Sequence, residues 1–123
     1  MRAWYNYYMF DYEKFEVYKK AKSFFVEIST FIEDSKKLHN RIADQLYRAA
    51  LSIPLNIAEG AGRYSKPDKR NFYTVARGSV FECTAIIDIL LEKSVLSSEQ
   101  KEAYYNNLEE ISKMLSGLIN SLK

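Results

Sequence analysis

Residues 52–63 read Ser-Ile-Pro-Leu-Asn-Ile-Ala-Glu-Gly-Ala-Gly-Arg, and they form the most informative stretch of the chain. They lie within a strongly helical region. Pro54 removes one backbone donor there and crowds the carbonyl of Ala50, which costs about 3 kcal/mol inside a helix. Asn56 is a poor helix former because its side chain competes for backbone hydrogen bonds. A helix that only packs in a bundle needs neither residue, so this stretch indicates a local requirement of structure or function.

Outward from this stretch, apolar residues recur at spacings of three and four, which is typical of amphipathic helices. The pattern predicts an all-α protein, an antiparallel up-down-up-down four-helix bundle over residues 11–123, because the helices are similar in length and their links are short. Residues 1–10 form an aromatic N-terminal extension. The predicted helices cover about residues 11–33, 40–61, 67–93 and 97–122.

Several residues are expected to mark the ends of these helices. Asn40 is a candidate N-cap for the second helix, and Gly60 and Gly62 are expected to end it in the left-handed conformation. Ser97 followed by Gln100 predicts a capping box at the fourth helix. The third helix is expected to bury one apolar face, made by Phe72, Val75, Ala76, Ser79, Val80, Cys83, Ile86, Ile87 and Leu90.

Length and composition limit the class of protein. The 123 residues suffice for one domain with one core, and the profile of 47% hydrophobic and 28% charged residues is that of a globular protein. A single cysteine, Cys83, excludes an internal disulfide and predicts a cytoplasmic location. No apolar run is long enough to span a membrane, and residues 1–10 lack the order of a signal peptide.

Charge is distributed unevenly along the chain, although the net charge is only +2. Residues 36–77 hold nine lysines and arginines against three acids, whereas the segments on either side are mildly acidic. Such a basic block indicates an anionic partner, with nucleic acid favoured over a membrane, or else a solvated surface.

The second helix has two apolar faces with a polar strip between them. One face contains Ile53 and the other contains Leu55, whereas a helix in a simple bundle needs only one apolar face. Either the strip is solvated, or the helix lies between its own bundle and a neighbouring subunit, which is the interpretation we favour. In that case the strip supplies hydrogen bonds at the junction. Its residues are Gln45, Arg48, Ser52, Asn56, Glu59 and Arg63.

The residue inventory argues against an enzyme. A di-iron bundle needs Glu-x-x-His pairs, and a Ser-His or Cys-His nucleophile needs a histidine, but His39 is the only one and lies in a predicted loop. Glu59 and Glu82 would form a carboxylate pair if their helices met, although pairing with arginines is favoured. We therefore expect no enzyme activity, no metal and no cofactor.

Two motifs resemble the signatures of one bacterial family. Residues 45–60 read Gln-Leu-Tyr-Arg-Ala-Ala-Leu-Ser-Ile-Pro-Leu-Asn-Ile-Ala-Glu-Gly, and Phe72 is followed by Ala-Arg-Gly-Ser at residues 76–79 and by Glu82. They resemble the four-helix-bundle proteins encoded in intervening sequences of 23S ribosomal RNA genes. The resemblance covers about residues 15–122. The chain departs from the family pattern at residues 35–40, before the second helix, and in its aromatic extension.

The resemblance implies a four-helix bundle that assembles into a ring-like homopentamer with no established enzyme activity. It also implies similarity to the accessory variability proteins of diversity-generating retroelements, which share the bundle and bind nucleic acid. Packing and assembly are the roles that the resemblance favours for the matching positions, which are Gln45, Arg48, Ser52, Pro54, Asn56, Glu59, Gly60, Arg77, Ser79 and Glu82.

The remaining candidate site is the turn between the second and third helices. There Lys and Arg side chains can contact phosphates, and Tyr64 can stack on an unpaired base. A ring of identical subunits repeats this turn around one rim, so weak contacts add. The candidate nucleic-acid-binding residues are Arg63, Tyr64, Lys66, Lys69 and Arg70.

Two functional hypotheses follow from these features. The first is a non-enzymatic homo-oligomer that binds structured RNA or DNA through a repeated basic rim. The alternative is a protein-interaction scaffold that does not bind nucleic acid. Salt dependence separates them, because phosphate contacts weaken steeply with ionic strength.

Overall fold

The structure is a computed structural model that describes residues 10–123, so all of the predicted N-terminal extension except Phe10 lies outside the described residues. From residue 10 to residue 123 the regular structure is entirely helical, which confirms the all-α prediction for this part of the chain. A short 3-10 helix precedes four α-helices. These are α1 (Glu16–Asp34), α2 (Asn40–Ala61), α3 (Lys66–Glu92) and α4 (Ser98–Ser121).

The first α-helix begins later than the sequence predicts. Asp11–Lys14 form the 3-10 helix, and Phe15 then takes an extended conformation before α1 begins at Glu16. The carboxylate of Glu13 accepts a hydrogen bond from the backbone N–H of Phe10 at 3.2 Å. This bond closes a separate turn ahead of α1, so the predicted helix start at residue 11 is wrong.

The bounds of α2 agree with the prediction, but its capping residues differ from it. His39 is the N-cap, because its Nδ1 accepts from the backbone N–H of Arg41 at 3.1 Å, and Asn40 is already helical. Neither Gly60 nor Gly62 adopts a left-handed conformation. Gly60 lies inside α2, and Gly62 ends the helix by donating its N–H to the carbonyls of Ala58 and Glu59. The glycines are therefore present for reasons other than a left-handed cap.

The N-terminal ends of α3 and α4 carry serine caps. The hydroxyl of Ser65 accepts from the backbone N–H of Asp68 at 3.2 Å, and Pro67 occupies the first turn of α3, where a missing donor costs nothing. Ser97 and Gln100 bond each other reciprocally, at 2.8 and 3.1 Å, so the predicted capping box is confirmed. These caps fix where each helix starts.

Each helix packs against two neighbours. Helices α1 and α3 both contact α2 and α4, whereas the diagonal pairs do not pack against each other. The 3-10 helix lies against α1 and α2. The apolar core runs through the middle of this arrangement, and its largest fully buried side chains are Phe24, Ile28, Leu46, Ile53, Ile57, Val80, Cys83, Ile87, Leu90, Leu108, Ile111 and Leu115.

The buried face of α3 is shifted at its N-terminal end relative to the prediction. Tyr73 is buried, whereas Val75 is 46% exposed and Phe72 is half-buried. The shift arises because Gly60 of α2 has no side chain and leaves room for Tyr73. A Cβ at Gly60 would lie 2.9 Å from the Tyr73 ring. The placement of Phe72 and Val75 on the buried face is therefore wrong.

Candidate nucleic-acid interface and the helix pair that supports it

The two motifs that the sequence singles out meet along one line between α2 and α3, which we call the α2–α3 seam. The amide of Gln45 donates to the carboxylate of Glu82, and the hydroxyl of Ser79 donates to the hydroxyl of Ser52 at 2.8 Å. Toward the other end of α2, Gly60 packs directly against α3. The seam therefore contains residues from both motifs, joined within one chain.

Asn56 completes the polar part of the seam. Its amide donates to the backbone carbonyl of Ser52 at 2.8 Å and to the Ser52 hydroxyl at 2.9 Å. Ser79 is only 8% exposed, so a polar group at this position needs such partners. The bond to Ser52 also means that Asn56 does not satisfy the carbonyl of Ala50, which Pro54 leaves without its usual backbone donor.

These bonds change the interpretation of the polar strip on α2. Ser52 and Asn56 find their partners inside the chain, and Gln45 reaches Glu82 of α3. A neighbouring subunit is thus not needed to satisfy these three side chains, and the position of α2 between two subunits stays a prediction. The buried Pro54 lies within α2 beside this strip.

The remaining motif residues bind their own helix or α4. Arg48 pairs with Asp44 at 2.9 Å, and Arg63 pairs with Glu59 at 3.0 Å. Arg77 of α3 donates to the hydroxyl of Ser116 of α4 at 3.0 Å. Glu59 and Glu82 have different partners, so the structure contains no pairing between these two carboxylates.

The turn between α2 and α3 forms the candidate interface, which we call the basic corner: Arg63, Tyr64, Lys66, Lys69 and Arg70. Tyr64 is fully exposed, and Lys66 is exposed with no bonding partner among residues 10–123. Arg63 stacks over the Phe72 ring at 4.6 Å from its centroid, while also pairing with Glu59. Tyr64 and Lys66 are therefore the members most available to a ligand.

The other two members of the basic corner hold helix ends together. The ammonium of Lys69 donates to the carbonyl of Ala61, at the end of α2, at 2.9 Å. The guanidinium of Arg70 donates to the carbonyl of Leu122, just after α4. The last carbonyls of a helix lack intrahelical donors, so both contacts satisfy groups that need them. The sequence had placed Lys69 and Arg70 among the candidate nucleic-acid-binding residues. Their contacts with helix ends explain both residues without an external anion.

We expect Lys69→Ala to lower the free energy of unfolding by about 1 kcal/mol, since it removes a half-buried hydrogen bond to a helix end. Lys66→Ala is the matched control, because Lys66 makes no such contact, and it should change stability by less than about 0.5 kcal/mol. Urea unfolding of both variants measures the difference. Equal effects would contradict the structural role assigned to Lys69.

The described residues show little that suggests catalysis. His39 caps α2, and among residues 10–123 no three His, Cys, Asp or Glu side chains are grouped to hold a metal ion. Cys83 lies in the core, where burial raises its pKa to about 12, so its thiol is protonated and inert at neutral pH. None of the helices described is both long and apolar enough to cross a bilayer.

Sequence reasoning missed a groove between α3 and α4. It has a volume of about 670 Å³, and Phe81 and Tyr105 line it together with Val80 and Leu108. Phe81 is 51% exposed and carries Arg77 over its ring at 4.7 Å. The signal in the sequence was an aromatic residue on the polar side of a predicted helix, which periodicity alone does not interpret.

Comparison with known proteins places the chain among proteins of similar fold. The sequence profile described as "23S rRNA-intervening sequence protein" matches residues 13–117, which is most of the chain. A solved structure from Bacteroides thetaiotaomicron VPI-5482, described as a protein of unknown function from the S23 ribosomal protein family, is 27% identical. The match covers 84% of this chain and 97% of that one, with a TM-score of 0.78. Among functionally curated proteins, none matches this chain.

Proposed function

We propose that this chain, which belongs to the family of 23S rRNA-intervening sequence proteins, is a non-enzymatic homo-oligomer that binds structured RNA or DNA through its basic corner. In this proposal the helices run up-down-up-down, and the subunits form a ring, most simply a homopentamer. The ring repeats the basic corner around one rim. The single cysteine, which is free and buried, agrees with a cytoplasmic protein.

The observation that carries the proposal is the exposure of Tyr64 beside Lys66. An exposed aromatic ring next to a cation without an acidic partner fits the stacking and phosphate contacts made with unpaired nucleotides. Lys69 and Arg70 donate hydrogen bonds to neutral carbonyls, so these contacts do not neutralise the positive charge of the basic corner. Within residues 63–70 the only acid is Asp68.

Repetition of the basic corner in an oligomer raises an affinity for nucleic acid that would be low in a single copy. One aromatic ring and a few cations give a low affinity by themselves. When several corners bind one nucleic acid, the later contacts become intramolecular and the affinity rises without new contacts. An oligomer is therefore part of the functional proposal.

A double variant, Tyr64→Ala with Lys66→Glu, tests the proposal without removing the contacts of Lys69 and Arg70. Stacking of one base is worth about 1–3 kcal/mol, so we expect the Kd for a hairpin RNA to rise roughly tenfold or more. The salt dependence should also become shallower, because fewer phosphate contacts remain. Fluorescence anisotropy at several salt concentrations, with hairpin RNA, single-stranded RNA and duplex DNA, gives both quantities.

Lys37→Glu is the matched control for charge. Lys37 is exposed in the loop before α2, whereas the basic corner follows α2, so about 33 Å of helix separates them. This control should leave the Kd within about twofold. If wild type fails to bind any of the three probes at low salt, or if the double variant binds equally well, the proposal is wrong.

The alternative function is a protein-interaction scaffold. Leu55, Phe81 and Ile89 are each more than half exposed, and such apolar side chains suit a protein partner. Capture of a protein from lysate that survives both nuclease treatment and high salt would favour this alternative. The nucleic-acid proposal requires the opposite result, with salt-sensitive capture that nuclease abolishes.

A further inference from the structure

We propose that a row of cations along one side of α3 extends the basic corner and binds a single-stranded segment of nucleic acid, with Phe81 as a second ring on which a base stacks. The inference rests on the proposed function and names the form of nucleic acid that the site selects. We define the basic strip as Lys66, Arg70, Arg77 and Phe81. Its first two members also belong to the basic corner.

The four residues of the basic strip lie in one line along α3. They are spaced by four, seven and four residues, so at about 100° per residue they fall within about 60° of one another around the helix. The line runs about 22 Å from Lys66 to Phe81. The exposed rings of Tyr64 and Phe81 stand at its two ends. This length suits a few nucleotides, at the lower end of the sites of about 4–16 nucleotides that single-strand-binding folds use.

The basic strip carries uncompensated positive charge. None of its three cations forms an ion pair with an acid among the residues that the structure describes. Between Lys66 and Phe81 the only acid of α3 is Asp68, which lies on the opposite side of the helix. Two lysines and two glutamates line the α3–α4 groove next to Phe81, so positive charge is not in excess there. A phosphate backbone is therefore attracted to the basic strip rather than to the groove.

Both arginines of the basic strip are held in place by neutral oxygen atoms on or just after α4. Arg77 donates through its Nε to the hydroxyl of Ser116 at 3.0 Å, and Arg70 donates through one terminal nitrogen to the carbonyl of Leu122. A guanidinium has five N–H donors, so each arginine keeps donors that no group within residues 10–123 accepts. Because both side chains are already ordered, they lose less conformational freedom when they bind a phosphate.

Phe81 offers a stacking surface at the end of the basic strip. The guanidinium of Arg77 lies over its ring at 4.7 Å from the centroid, yet 51% of Phe81 remains exposed. Bases stack on aromatic rings and also on guanidinium planes, so this pair presents two flat surfaces with a positive charge beside them. A base inside a duplex already stacks on its neighbours and cannot lie flat on a side chain. The basic strip therefore favours an unpaired strand.

Hairpin RNAs with different ends test the basic strip separately from the basic corner. The first hairpin ends bluntly, the second carries a tail of about eight unpaired uridines, and the third carries the same tail paired to a complementary strand. We expect the wild type to bind the hairpin with the unpaired tail at least about fivefold more tightly than the blunt one, because one further base stacks. Pairing the tail should remove most of this gain. Fluorescence anisotropy measures the three affinities.

Two variants assign the gain to the basic strip. Phe81→Leu removes the ring but keeps an apolar side chain, and it should reduce the effect of the tail to less than about twofold while the Kd of the blunt hairpin stays unchanged. Arg77→Gln removes the charge but keeps a side-chain amide that can donate to Ser116. It should also reduce the effect of the tail and make the salt dependence of tail binding shallower.

Two further variants are the controls, and circular dichroism checks that each protein is folded. Phe81→Trp keeps an aromatic ring at the same position and should retain the gain from the unpaired tail. Ile89→Ala removes another exposed apolar side chain of α3, one that is 52% exposed and lies outside the basic strip, and it should retain the gain as well.

Three results would overturn the basic strip and leave the basic corner standing. These are equal wild-type affinities for the blunt hairpin and the hairpin with the unpaired tail, an equal gain from the paired tail, and a gain that survives both Phe81→Leu and Arg77→Gln. A loss of affinity for the blunt hairpin in Phe81→Leu would overturn it too, because the effect would not be confined to the tail. If the wild type binds none of the hairpins at low salt, the proposed function is wrong and the basic strip fails with it.

Discussion

Ile53→Ala is expected to lower the free energy of unfolding by about 2–5 kcal/mol, which is the usual cost of truncating a fully buried isoleucine to alanine. Ile53 is fully buried on the face of α2 that points into the core. The truncation removes three carbon atoms from a closely packed site and leaves a cavity that its neighbours fill only in part. Urea unfolding followed by circular dichroism measures the change.

Leu55→Ala is the matched control, because Leu55 is two residues away on the same helix and 57% exposed. In a single chain this change should alter stability by less than about 0.5 kcal/mol. The comparison must be made at a protein concentration where all samples have the same mass, since the sequence places Leu55 on the apolar face that would meet a neighbouring subunit. Similar losses for both variants would mean that the two faces of α2 are assigned wrongly.

Gly60→Ala is expected to destabilise the protein by about 1–3 kcal/mol, although alanine is the better helix former. A Cβ at this position would lie 2.9 Å from the Cβ of Phe72 and 2.9 Å from the ring of Tyr73. The Phe72 Cβ is fixed to the α3 backbone, and Tyr73 is buried, so neither can move without separating the helices. Thermal and urea unfolding both report the loss.

Gly78→Ala provides the control for helix preference. Gly78 also lies inside a helix, but apart from its chain neighbours and its own helix backbone no atom lies within 4 Å of where its Cβ would be. This substitution should therefore stabilise the protein by about 0.5–1 kcal/mol. If Gly60→Ala stabilised the protein by the same amount, close packing at the α2–α3 seam could not be the reason for glycine at residue 60.

Much of the helical layout could be predicted, because local chemistry decides it. The capping box at Ser97 and Gln100 needs only residues three apart, and the core positions of α4 follow from a regular spacing. The predicted bounds of α2 agree with the structure, but its N-cap was misplaced by one residue, because the side chain of His39 caps the helix where asparagine is the more usual residue. The first helix was predicted to begin at residue 11, whereas α1 begins at Glu16. The residues of the 3-10 helix that precedes it are also compatible with an α-helix, so the sequence does not separate the two.

The α2–α3 seam could not be read from the sequence in full. Periodicity shows that Ser52 and Asn56 share a strip, but it does not show which helix faces that strip. The hydroxyl of Ser79 reaches Ser52 across the two helices, so the strip that suggested a neighbouring subunit is satisfied within the chain. Gly60 was attributed to helix termination, whereas its close contact with Tyr73 depends on residues that only the fold brings together.

The basic corner shows the same limit. Sequence reasoning placed five candidate residues in one turn, and the structure gives them different tasks. Lys69 and Arg70 bond carbonyls at the ends of two helices, one of them 52 residues away in the chain. Such contacts depend on where α4 ends relative to α3, which no local pattern encodes. Tyr64 and Lys66 are exposed, and neither has been assigned a structural role in the fold.

The native mass of the purified protein tests the central claim most directly, because the repeated basic rim requires more than one copy of the chain. Multi-angle light scattering at micromolar concentration measures it. The account predicts a stable multiple of the 14.4 kDa chain, most simply five times that mass. A mass of 14.4 kDa across the accessible concentration range would contradict it.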